Sequence, residues 1–359
     1  MKAKKSLLLT LVLVVLALLI HLFSLHPSLV ERFYTNGIYP PVSRVLRYLL
    51  GWIPFSVGDI IYAGLVFWLL SKLVRAIRMA LRREFSWAGF FYGLRYALHF
   101  LLIVYISFNL LWGLNYNQPG IAGKLNLRME KYSAADLKEL NALLVDKVNR
   151  SKQVLLAKND GYPSKAELFG RVNKAYAQVQ EHYPFLAYQP MSLKPSIWSW
   201  LGNYMGFTGY YNPFTAEAQV NTLVPKFLQP YTTSHEVAHQ LGYAKEREAN
   251  FVGYLAASAS TDTLLHYSVY LDLFMYSNRN LFDTDSAAAK QFRKQLIPAV
   301  QSDLKEWRNF YLRHRNPIEP VWRWVYGVYL RRNQQPQGVL SYDEVTGFLI
   351  AFYKKTGRI

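Results

Sequence analysis

The chain has 359 residues, with 41 Lys and Arg against 23 Asp and Glu, 52% hydrophobic residues and no cysteine. Such apolar content excludes a disordered polypeptide, and without cysteine there are no disulfides, thiolate metal sites or cysteine nucleophiles, so any metal must be held by His and carboxylates. The net charge of +18 raises nucleic acid as a partner, but residues 1–114 alone carry 12 basic and 3 acidic side chains around long apolar runs, and the remainder is spread without a basic block. That distribution argues for a membrane protein with an ordinary solvated surface and against a nucleic-acid partner.

In chain order, Ser6 to Leu25 is almost wholly Leu, Val, Ala and Ile, long enough as a helix to cross the bilayer core. Lys2, Lys4 and Lys5 precede it, but His26-Pro27-Ser28 offers no small-x-small cleavage site, so an uncleaved anchor is expected. Ile60 to Leu70 is short for a span and becomes long enough if Val57 and Gly58 join it while Lys72 and Arg75 snorkel. Tyr96 to Leu114, entered by Arg95 and His99 and closed by Trp112 and Tyr116, is the third. The expected membrane domain is therefore residues 1–114, with spans over about 6–25, 57–75 and 95–114. The amino terminus and the loop bearing Lys72, Arg75, Arg78, Arg82, Arg83 and Arg95 are expected inside, which leaves His26 to Asp59 and everything after Asn115 outside.

Residues 115–359 are expected to form one mostly helical, α+β domain. Ser133 with Asp136, Ser164 with Glu167, and Ser341 with Glu344 each read as a capping box opening a helix. Only Pro184 to Pro230, with Gly206-Phe207-Thr208-Gly209-Tyr210-Tyr211-Asn212-Pro213, has the turns and alternating aromatics of strands.

Directly after that element comes Ser234-His235-Glu236-Val237-Ala238-His239-Gln240-Leu241-Gly242. Histidines four apart share one helix face and can bind one ion, and Glu236 beside them can act as a base towards water. Gly242 suits a left-handed helix stop. A second helix then begins at Glu246-Arg247-Glu248-Ala249-Asn250, where one carboxylate can complete a two-His, one-Glu zinc set. Glu246 and Glu248 lie about 200° apart on a helix, so only one can face the ion. Glu246 has Asn250 one turn along its own face, able to orient a ligating histidine, whereas Glu248 has Val252.

The string from His235 to His239 followed by Glu246-x-x-Ala249-Asn250 resembles the gluzincin metallopeptidases, whose second helix carries a Glu ligand followed by Asp or Asn. The chain is similar, over nearly its whole length, to an uncharacterised bacterial family of membrane-anchored HExxH proteins. The motifs shared with it are Asn36-Gly37-Ile38-Tyr39-Pro40, Ile53-Pro54-Phe55-Ser56 and Gln335-Pro336-Gln337-Gly338-Val339-Leu340-Ser341-Tyr342. The family resemblance implies a zincin-like fold and no more, and the gluzincin pattern adds to the preference for Glu246 as third ligand; the apolar runs and charge distribution lead to the expectation of a bacterial cytoplasmic membrane. The gap between His239 and Glu246 is shorter than in common gluzincins, and Lys245 stands where metzincins place their third ligand.

The expected activity is hydrolysis of envelope proteins or peptides outside the cytoplasmic membrane, with Zn2+ on His235, His239 and Glu246, Glu236 as general base and Asn250 orienting a histidine. The rival is a non-catalytic binding or sensing protein that retains the metal site. Tyr210, Tyr211 and Tyr254 are candidates for stabilising an oxyanion, and Phe207 to Asn221 could offer a strand edge to an extended peptide or simply pack the core. His266 is expected to be structural, Trp307, Phe310, Trp322, Trp324 and Tyr326 to pack in the core or at the membrane interface, and Arg313-His314-Arg315 to form a solvated loop.

Overall fold

The computed structural model describes residues 2–82, 84, 86–338 and 344–359, with the backbone alone at 2–4. Among them, three helices are long and apolar enough to cross a membrane: α1 (Lys2–Ser24), and after α2 (Tyr39–Leu50) the pair α3 (Val57–Leu81) and α4 (Trp87–Leu111). Both α3 and α4 overrun the expected spans. Lys and Arg are good helix formers, so α3 continues past Lys72 and Arg75 to Leu81, and Ser86, accepting from Gly89 N–H, starts α4 eight residues before Arg95. At 25 residues each they run ~37 Å, beyond the hydrocarbon core and into the headgroups. The stretch after His26, expected only as an external connector, is helical from Pro27 to Leu50 and packs on the rest of the protein.

The remainder is mostly helical around a small sheet. α5 (Ala134–Lys158) opens on a complete Ser133/Asp136 capping box, while at α6 (Lys165–His182) Ser164 caps Glu167 N–H without the reciprocal bond. Ser341 lies outside the described residues, and the last helix, α14 (Val345–Thr356), follows directly on Glu344. Strands β1 (Leu193–Pro195), β2 (Gly209–Asn212) and β3 (Glu217–Val220) fall within the expected stretch, with α7 (Ser199–Met205) between the first two. Their order is β1-β3-β2, parallel then antiparallel, so β2 is an edge. Then come α8 (Gln229–Gln240), α9 (Glu246–Ala259), α10 (Thr263–Thr284), α11 (Ser286–Lys294), α12 (Pro298–His314) and α13 (Glu319–Arg332).

The sheet lies between α8 and the amino-terminal end of α3. One face presents Gly209 and Tyr211 towards α8. The other presents Glu217, whose buried carboxylate accepts from Val57 N–H (3.1 Å) and Gly58 N–H (2.7 Å) at the start of α3, where the helix dipole favours a negative charge. Lys194 on β1 donates to the carbonyls of Leu50, Gly51 and Ile53. The sheet therefore grips the exit of α2 and the entrance of α3 together.

Candidate metal centre

α8 is buried along its whole length, so each polar side chain on it must find a partner. His235 and His239 project from one face with ring centroids 4.7 Å apart. Gly242, at φ +92°, stops the helix and turns the chain into α9, where Glu246 is the first residue. That tight reversal sets Glu246 Oε2 3.2 Å from His235 Nε2 and 3.5 Å from His239 Nε2. Among the described residues His235, His239 and Glu246 form the one group of three such ligands, all buried, their ligand atoms within 4.8 Å of one another.

The other ring nitrogens are spoken for. His235 Nδ1 lies 2.7 Å from Asn250 Oδ1 and His239 Nδ1 lies 2.8 Å from the Tyr243 carbonyl. Both partners are acceptors, so Nδ1 carries the proton in each ring and Nε2 keeps its lone pair for the common point. Glu246 is aimed from outside as well: Tyr326 donates to its Oε1 (2.9 Å) and Gln335 accepts from its backbone N–H (2.9 Å). Glu246 Oε2 and Glu236 Oε2 are both buried without a hydrogen-bond partner, a costly arrangement that a cation among these donors relieves. Two imidazoles and a carboxylate suit a divalent metal ion with a coordination position left over. The donor set fits.

Electrostatics separates the two carboxyls. Burial pushes Glu236 up to about 8 in the protein alone, with His239 opposing and Glu246 adding to the shift. Burial acts the same way on Glu246, but the two histidines outweigh it and hold that carboxyl well below the usual range. Gly209 is what allows Glu236 its place, since a Cβ there would sit 2.5 Å from Glu236 Oε1.

The last carbonyls of α8, orphaned as at any helix end, are taken up by residues that flank the apolar helices. Trp112, directly after α4, donates from Nε1 to the His239 carbonyl (3.1 Å) and sets its ring against the His239 ring, while Tyr39 on α2 donates to the Gln240 carbonyl (2.8 Å). Residues that flank the apolar helices thus form part of the wall of the site.

Glu248, the competing carboxylate, is buried elsewhere: it lies against Gly120 and stands 3.8 Å from Lys245. None of the three tyrosines considered for an oxyanion is directed at the cluster by its hydrogen bonds. Tyr210 donates to Asp59 on the far side of the sheet, Tyr211 pairs with Tyr39 (3.4 Å) and Tyr254 packs on Phe251 and Phe352. His266 bonds the Ser260 carbonyl and is structural. Tyr326, expected only to pack, is the hydroxyl that reaches a site carboxylate. Gln335 was visible as part of a shared motif, but its role in holding α9 was not. Nothing local marks either residue, because they come to Glu246 from 80 and 89 positions along the chain and only folding brings them there.

Fold and site together define a mostly helical, membrane-associated protein with a buried His-His-Glu cluster fit to hold a metal ion. The model of the family described as "Protein of unknown function (DUF3810)" matches residues 34–350, and the chain belongs to that family. No curated protein and no solved structure matches it.

Proposed function

We propose that the protein is a membrane-anchored zinc metallopeptidase with a zincin-like domain. One observation carries this reading: a His-His-Glu cluster converging within 4.8 Å, with a buried carboxyl, Glu236, whose Oε2 has no hydrogen-bond partner, adjacent to His235 on the same helix. A pure binding site has no use for that carboxyl, and an uncompensated buried acid is costly to keep. His235, His239 and Glu246 would hold the ion. When bound, zinc supplies a Lewis acid for the scissile carbonyl and a positive field that lowers the proton affinity of Glu236 from its value near 8. Glu236 takes the proton of the attacking water on its carboxylate and returns it to the leaving amine nitrogen. Asn250 and the Tyr243 carbonyl hold the imidazoles in the ligating tautomer, and Tyr326 and Gln335 hold Glu246 in place. The edge strand β2, whose Gly209 backbone touches Glu236, offers free peptide groups to an extended substrate.

Lys72, Arg75, Arg78 and Arg82 towards the end of α3, Arg95 in α4 and the lysines in the first turn of α1 favour the inside of a bacterial cytoplasmic membrane, and the site would then face the outside. The test is zinc analysis and peptide-library cleavage with wild type and Glu236→Gln, both purified with their membrane segments. Both should carry zinc, and the variant should turn over slower by a factor on the order of 10² or more. Equal turnover, or zinc with no cleavage by either, would favour a binding or sensing protein.

A further inference from the structure

Two helices beside the candidate metal centre carry apolar faces that nothing among the described residues covers. α2 turns Tyr39, Ser43 and Arg47 inward, where they bond the Gln240 and Pro190 carbonyls. Its outer side, continued into the turn that follows, exposes Val45, Tyr48, Leu49 and Trp52, the last 79% accessible. These positions follow helical spacing, so they form one stripe. α13 turns Glu319, Gly327 and Leu330 inward and exposes Ile318, Val321, Trp324 and Val325 at its start and along it, with Trp324 66% accessible.

Both faces are tied to the levels where the apolar helices leave the bilayer. α2 is joined to α1 and α3 by short connections, and Lys194 holds its last carbonyl at the entrance of α3. α13 is held by Tyr329, whose hydroxyl lies 3.1 Å from that of Tyr116, five residues past the end of α4. Tyr62, just over one turn into α3, is within electrostatic reach of the same Tyr329. α7, which α13 touches, is preceded by Ile197, whose N–H bonds Asp59 in the first turn of α3, and exposes Trp200. A Trp-rich apolar stripe continuous with the outer ends of spans has the composition and position of an interfacial helix.

We infer that α2 and α13 lie in the outer leaflet on either side of the metal centre. The site is thereby held against the bilayer surface, and it acts on polypeptide that is itself anchored in that membrane, at the point where the chain emerges. The placement of the helices stands on the geometry alone, whereas the substrate class rests on the metallopeptidase reading. A tethered substrate gains from confinement to the same surface, because its effective concentration at the site rises without any new contact.

Because the chain has no cysteine, single labelling sites are simple to introduce. Full-length Trp52→Cys, Val321→Cys and Trp324→Cys would each carry a nitroxide in vesicles of phosphatidylethanolamine and phosphatidylglycerol, with Leu156→Cys on the exposed side of α5 as reference. Collision with oxygen should exceed collision with a water-soluble nickel chelate at the first three positions and fall below it at the fourth. If positions 321 and 324 are as open to nickel as 156, the docking is overturned. Dipolar broadening at those positions would put a second copy there and overturn it equally. In the same vesicles a peptide mixture joined to a dipalmitoyl anchor should be cleaved at least about tenfold faster than the free mixture. Val321→Glu should narrow that ratio while leaving cleavage of the free mixture unchanged. Equal rates for both mixtures in wild type would overturn the substrate class. Lipid-buried labels with neither mixture cleaved would support the docking and sink the peptidase reading instead.

Discussion

Replacing Asn250 with Ala isolates the part of the centre that orients a ligand without contributing one. The Asn250 Oδ1 to His235 Nδ1 bond is 2.7 Å long and both residues are buried. Its loss leaves an imidazole N–H without that acceptor where water is scarce, at about 1–3 kcal/mol, and the ring becomes free to rotate its Nε2 off the common point. At 1.4 kcal/mol per tenfold, zinc affinity should fall by roughly 10- to 100-fold. The backbone of residue 250 still accepts from Tyr231, and His239 is oriented by a main-chain carbonyl that no side-chain substitution removes, so the fold and the second histidine are constant. Asn250→Asp keeps an acceptor at the same reach and should hold zinc at least as tightly as wild type. Competition titration against a chelator gives the affinities, and thermal melts of the metal-free proteins separate a local effect from unfolding. Unchanged affinity in Asn250→Ala with an intact fold would refute the claim that this amide sets the orientation of His235.

Glu246→Gln should weaken zinc binding severely, whereas Glu248→Gln should retain zinc and lower thermal stability, since Glu248 is buried against Gly120 and pairs with Lys245 instead; titration of both against one chelator decides it. Glu217→Ala removes the acceptor of two N–H groups at the start of α3 and should cost roughly 2–6 kcal/mol, read as a lowered melting temperature in detergent. Burial pushes the Asp272 carboxyl on α10 up to about 7 from 3.8. Its contribution is therefore fully present below the ordinary carboxylate range and is lost as pH rises through about 7. Relative to Asp272→Asn, wild type should lose at most roughly 1.4 kcal/mol per pH unit across that window, and parallel pH–stability curves for the two would contradict it.

What was local in the sequence could be read from the sequence. A bilayer demands about twenty apolar residues in a row, so three apolar helices were visible, although their ends were not, because helix propensity carries α3 and α4 on past the apolar runs. Helical geometry puts the i, i+4 histidines on one face and allows only one of Glu246 and Glu248 to join them; Asn250 and the gluzincin resemblance favour Glu246, which lies beside the two histidines while Glu248 lies against Gly120. Gly242 likewise announced a turn that its φ of +92° makes. Contacts between distant segments were not legible, because no spacing rule links them. Tyr326 and Gln335 reach Glu246 across 80 and 89 positions, Trp112 reaches His239 across 127, and Tyr39 reaches Gln240 across 201. Helical periodicity states only which face of an element is apolar. Tertiary packing decides what covers that face, and here it sets the His-His-Glu cluster against residues that flank the ends of the apolar helices.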